Sequence, residues 1–79
     1  MTDEERKKLV KTRISRRMKS RLYELDMTQK RLAEETGITR ETINSYITGR
    51  CMMTAENVVR IAEGLQCSAD YLLGLNDKV

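Results

Sequence analysis

Three sets of side chains in this sequence have types and spacings that bear on chemistry. The densest is a run of cations. Between Arg6 and Arg21 lie nine basic residues (Arg6, Lys7, Lys8, Lys11, Arg13, Arg16, Arg17, Lys19, Arg21) and no acid. That density suits a phosphate backbone, and it suits a solvated helix face equally well. From Leu22 to Val79 the balance reverses, with six basic residues against nine acidic, so the net charge of +3 hides an asymmetry. The second set runs from Gln29 to Thr48, where polar and apolar side chains alternate at helical spacing. The third is a pair of thiols, Cys51 and Cys67, in a chain without histidine. A tetrahedral Cys/His metal site lacks ligands, so no metal is expected. Both thiols are expected free, at least one of them half-buried. No nucleophile–base pair and no phosphate-cradling Gly loop appears, and the Ser and Asp residues fall at helix caps or on helix surfaces. No enzyme, cofactor or small-molecule ligand is expected.

The elements that position these groups are helices. The 79 residues contain no Pro, Trp or Phe and 3 Tyr, with abundant Lys, Arg, Glu, Leu and Met, which favours one small all-α domain. Thr2 with Glu5 fits a capping box, and Val10, Ile14, Met18, Leu22 and Leu25 then form one apolar stripe. Residues 3–12 either continue this helix or fray as an arm, with Thr12 as a later cap. Thr28 caps a helix from Gln29 to Thr36, which Gly37 stops in the left-handed conformation. Ile38 is a buried turn residue. Thr39 caps Arg40–Ile47, ended by Gly49. Thr54 caps a fourth helix, with Val58, Ile61, Ala62 and Leu65 inward, and Ser68 caps a short fifth helix containing Tyr71, Leu72 and Leu73.

Gln29–Thr48 therefore reads as helix, tight turn, helix. Two helices cross steeply only if the near-contact position is small, here Ala33, and the turn is flexible, here Gly37. Leu32, Ile38, Ile43 and Tyr46 clamp the pair to the core. With Thr28-Gln29-Lys30-Arg31-Leu32-Ala33, Gly37-Ile38-Thr39, Thr42-Ile43-Asn44-Ser45-Tyr46, Ile61-Ala62 and Leu65 through Leu73, the chain resembles the Cro and phage-repressor type of helix-turn-helix regulators, the XRE family. Within that family it is most similar to the N-terminal domains of lambdoid phage repressors. The likeness covers about residues 14–75.

The resemblance implies a compact five-helix, lambda-repressor-like fold that binds double-stranded DNA. Its phosphate contacts map onto Thr28, Gln29 and Arg50, and its base-reading positions onto Arg40, Glu41, Asn44 and Ser45, with Thr39 at the edge. A helix N-terminus suits a phosphate at Gln29. Arg40 suits guanine O6 and N7. Glu41 either accepts from cytosine N4 or orients Arg40 or another cation. Family members commonly pair an Arg in the first helix with a Glu late in the recognition helix. Here those positions hold Leu22 and Ile47, which are expected to touch. Met53 replaces the usual Pro, so the loop Arg50–Met53 is expected to be looser.

The expected organisation is a basic extension over residues 1–13, the DNA-binding domain over 14–75 and a tail over 76–79. One such module buries only about 600–1,000 Å² on DNA, so a homodimer on an inverted repeat is expected, with Tyr71, Leu73 and Leu75 at its seam and Leu72 in the core. An acidic start and short apolar runs point away from secretion and membranes, towards the cytoplasm. The alternative is an antitoxin- or antirepressor-like adaptor that uses its basic segment and an exposed Cys51-Met52-Met53 to bind protein.

Overall fold

All five helices begin in the same way. A Thr or Ser stands one residue ahead of each, and its hydroxyl accepts the N–H of the third helical residue: Thr2 from Glu5, Thr28 from Arg31, Thr39 from Thr42, Thr54 from Asn57 and Ser68 from Tyr71. Each such cap is worth about 1 kcal/mol. The computed structural model describes residues 1–79 as α1 (Asp3–Glu24), α2 (Gln29–Thr36), α3 (Arg40–Ile47), α4 (Ala55–Gly64) and α5 (Ala69–Leu72), with no strand.

Four helices also stop alike. After α1, α3, α4 and α5 a residue with positive φ (Asp26, Gly49, Gln66, Gly74) turns the chain. Its N–H returns to the carbonyl three residues back, and the following N–H returns to the carbonyl five back, as in Gly49 to Tyr46 and Arg50 to Ser45. The helix α2 ends more simply, on Gly37 at φ 74°, whose N–H bonds the Ala33 carbonyl. Thr36 adds a second tie, its hydroxyl donating to the Leu32 carbonyl at 2.7 Å and accepting from the Ile38 N–H at 3.3 Å.

Residues 3–12 continue α1 without a break. Thr12 is no cap, because its hydroxyl bonds back to the Lys8 carbonyl inside the helix. At the start of α1, Glu5 closes on the side chain of Thr2, whose hydroxyl donates to Glu5 Oε1 at 3.1 Å.

Every helix contributes to the core. Met18 from α1, Leu32 from α2, Ile43 from α3, Ile61 from α4 and Leu72 from α5 are wholly buried, joined by Leu65 just past α4. Side chains of this size each contribute roughly 1.5–3 kcal/mol on burial. The helix α1 packs on α3 and α5, α2 packs on α3 and α4, and α4 packs on α5. Leu22 and Ile47, expected to touch, both lie in this cluster. Ser15 is the one buried polar residue, and its hydroxyl donates to the Ile47 carbonyl at the end of α3.

The loop before α4 departs from expectation. Met53 is buried in the core, so it pins the end of the loop and is not part of an exposed Cys51-Met52-Met53 patch. An unbranched thioether reaches into an irregular gap where Pro would only stiffen the backbone. No helix is long and apolar enough to cross a membrane.

The helices α4 and α2 approach closely at Gly64. A Cβ there would lie 2.7 Å from Thr36 Cγ2 and 3.0 Å from Leu32 Cδ1. Gly64→Ala is therefore expected to lower the thermal midpoint even though Ala is the better helix former. Thr36→Ser in the same chain removes the offending methyl and keeps the hydroxyl, and should return part of the loss. Circular-dichroism melts check this, and an unchanged midpoint in Gly64→Ala would show that the two helices separate freely.

Candidate nucleic-acid interface

The polar side of α3 is set by what the other side must do. Ile43, Tyr46 and Ile47 are buried, which turns Arg40, Glu41 and Asn44 to solvent on the other side of the helix. Thr39 is exposed at the cap, where its hydroxyl accepts from Thr42 N–H at 3.2 Å and donates to Thr42 Oγ1 at 2.9 Å. Ser45 is half-buried at the flank of this face, and its hydroxyl already donates to the Thr42 carbonyl at 2.7 Å. That bond leaves its oxygen able to accept but commits its proton.

The start of α2 adjoins this face. Gln29, half-buried as the first residue of α2, lines a shallow open depression together with Arg40, Glu41 and Asn44. The fold thus brings together the phosphate-gripping candidate and three of the base-reading candidates. None of the ion pairs in the protein involves Arg40 or Glu41. Glu41 does not hold Arg40 in the free protein, and it sits in the first turn of α3, where the helix dipole favours an acid. Thr28 is exposed, with its hydroxyl spent on capping α2 through Arg31 N–H at 3.1 Å.

Arg50 lies at the opposite end of α3. It is exposed, and its Nε donates to the hydroxyl of Thr48 at 3.1 Å. Thr48 in turn bonds the Asn44 carbonyl at 2.9 Å, so Arg50 is steered by the last turn of the helix it follows. The placement of α3 as a whole rests on two polar ties beside its apolar face: Ser15 to the Ile47 carbonyl, and Asn57 Nδ2 to Tyr46 Oη at 2.7 Å.

Two cations of the N-terminal run are committed inside the fold, which composition alone did not reveal. Arg21 donates to the carbonyls of Leu65 at 3.0 Å and Gln66 at 3.2 Å, closing the end of α4. Arg17 lies 4.4 Å above the ring of Tyr71 and pairs with Asp77 at 2.7 Å. The stem of Arg13 packs against Gly74. These contacts draw residues 74–77 onto α1, and Ser68 N–H holds the Val79 carbonyl at 2.9 Å.

The apolar residues near the C-terminus divide accordingly. Tyr71 is buried beneath Arg17, Leu72 is core, Leu73 is half-buried against the core, and Leu75 is 70% exposed. Of the two thiols, Cys51 is exposed and Cys67 half-buried. Burial pushes the Cys67 thiol up from its ordinary value, and the charge of Arg21 offsets part of that rise. No cluster of three or more metal-ligating side chains forms.

The profile of the helix-turn-helix family matches residues 18–72. Among curated proteins, the cryptic phage CTXphi transcriptional repressor RstR of Vibrio cholerae serotype O1 (strain ATCC 39315 / El Tor Inaba N16961) is 34% identical over 62 residues, covering 78% of this chain and 55% of the relative. The chain thus spans about half the length of the curated relative it matches. No solved structure matches the chain.

Tyr46→Phe removes the acceptor of Asn57 and little else. It is expected to cost about 1 kcal/mol, seen as a fall of roughly 4–8 °C in the melting midpoint of a domain this size. A midpoint equal to that of the parent protein would show that the Tyr46–Asn57 tie does not help to hold α3.

Proposed function

The chain belongs to the Cro and phage-repressor (XRE) type of helix-turn-helix proteins, and from that premise we propose that it is a sequence-specific DNA-binding transcriptional regulator, a repressor acting as a homodimer on an inverted repeat. The observation that carries the reading is the joint depression of Gln29 with Arg40, Glu41 and Asn44. It couples a helix N-terminus, which attracts a phosphate oxygen, to side chains long enough to reach base edges.

The mechanism follows from that adjacency. Gln29 and the first N–H groups of α2 grip one phosphate, with the cap hydroxyl of Thr28 fixing the turn that presents them. This sets the depth and angle at which α3 enters the major groove. Arg40 donates two hydrogen bonds to a guanine, and Asn44 reads a neighbouring base. Glu41, unpaired in the free protein, accepts from cytosine N4. Ser45 and Thr39 act at the edges, Ser45 as an acceptor only while its proton stays on Thr42. Arg50 binds phosphate beyond the far end of α3.

A single copy makes too few contacts for selective binding. Two copies place their recognition helices about 34 Å apart, one turn of the duplex. The seam is built around the exposed Leu75, with Leu73 at its margin. Tyr71 supports it from beneath. The protein acts in the cytoplasm, on the nucleoid.

Selection of bound duplexes from a random pool, using the full chain, is expected to return an inverted repeat. On that sequence Arg40→Ala should relax preference at one base pair per half-site, a loss of discrimination worth roughly 1–3 kcal/mol. Gln29→Ala should weaken binding to all duplexes alike. Recovery of no common sequence would sink the regulator reading. Affinity lost in Arg40→Ala with base preference intact would sink the assignment of Arg40.

A further inference from the structure

Two stretches of the chain are free of acid: Arg6 to Tyr23 on α1, and Thr42 to Ala55, which spans most of α3 and the loop after it. The fold joins them. The hydroxyl of Ser15 donates to the carbonyl of Ile47, so the middle of α1 lies against the C-terminal end of α3. Lys8, Lys11, Ser15 and Lys19 follow one another at helical spacings of three and four, and so share one side of α1. The row of lysines therefore runs past the same end of α3 that carries Arg50.

These lysines have no employment inside the protein. Lys8 and Lys19 are exposed and Lys11 is half-buried, and none of the three lies in an ion pair. Glu5, one turn before Lys8, is held by the Thr2 hydroxyl. The carbonyls that end α3 do not require cations either. Thr48 N–H takes the Asn44 carbonyl, Gly49 N–H that of Tyr46, Arg50 N–H that of Ser45, and Ser15 that of Ile47. Of the arginines on the same helix, Arg17 and Arg21 are engaged within the fold, whereas Arg6, Arg13 and Arg16 are exposed.

We infer that Lys8, Lys11 and Lys19 form a second phosphate-binding surface, which grips the DNA backbone flanking the C-terminal end of α3. This rests on the DNA reading above and extends it. Gln29 holds the backbone near the start of α3, and the α1 row holds it past the other end, so the recognition helix is clamped at both ends. The row spans roughly 16 Å, from the 1.5 Å rise per helical residue. Backbone phosphates are the occupant that charge complementarity selects, and flexible lysine stems suit point-charge contacts that carry no base information.

The test is the salt dependence of binding by the full chain to the duplex it selects. The triple variant Lys8→Gln, Lys11→Gln, Lys19→Gln should bind with unchanged base preference. Its slope of log K against log salt should be shallower by about 0.9 for each phosphate released. Ethylation of backbone phosphates flanking the end of α3 should weaken the parent protein and leave the variant indifferent. Lys→Arg at the same three positions should restore both signatures. If the triple variant melts early, the single variants Lys8→Gln and Lys19→Gln at exposed positions carry the same test. A parent protein that binds selectively, beside a folded variant with an unchanged slope, overturns the α1 surface and spares the DNA reading. A parent protein that selects no duplex at all removes both.

Discussion

An eight-residue helix does not persist alone in water, because nucleation costs more than so few hydrogen bonds return. The helix α3 exists only because Ile43, Tyr46 and Ile47 are buried beneath it and both its ends are tied. That requirement shapes the rest of the molecule. One face of α3 must be given to α1 and α2, and the face left over is the one that can meet DNA. The Thr39 cap, the turn at Gly49 and the bond from Ser15 all serve the same short element. A helix this short, exposed on one side, is wholly dependent on its supports.

The same logic explains how the cations are used. Arginine planes that stack or fork are spent on the fold: Arg17 over Tyr71 and onto Asp77, and Arg21 across the carbonyls that end α4. Lysines, whose compact charge prefers water, remain outside on α1. A helix that would otherwise be a uniformly basic rod is thereby divided into a structural side and a free side. Long charged side chains can serve both ends at once, with stems on the core and heads in water.

Local chemistry was legible wherever it depends on near neighbours in the chain. Thr2, Thr28, Thr39, Thr54 and Ser68 announced the helix starts, and Gly37 and Gly49 two of the stops. The positive-φ stops at Asp26 and Gln66 carried no such signal, since neither residue type requires that conformation. Ala33 and Ile38 were recognisable as buried because the crossing of α2 and α3 leaves no alternative for them. The close approach at Gly64, the buried hydroxyl of Ser15 and the anchoring by Met53 were not legible. Each depends on a partner far along the chain, and a Gly, a Ser or a Met in isolation gives no hint of one.

The amino-acid order by itself determined the number of helices, the caps at which four of them start, and which side of each would turn inward, because capping and a 3.6-residue period are properties of consecutive residues. It leaves the start of α1 open between Thr2 and Thr12. It also determined that α3 would carry Arg40, Glu41 and Asn44 on one face. Tertiary packing decided the rest. It set Gln29 beside that face, enclosed Tyr71 under Arg17 and laid the middle of α1 against the end of α3. Those outcomes depend on how helices cross and which side chains fill the space between them, and spacing along one chain does not encode a distance between two helices.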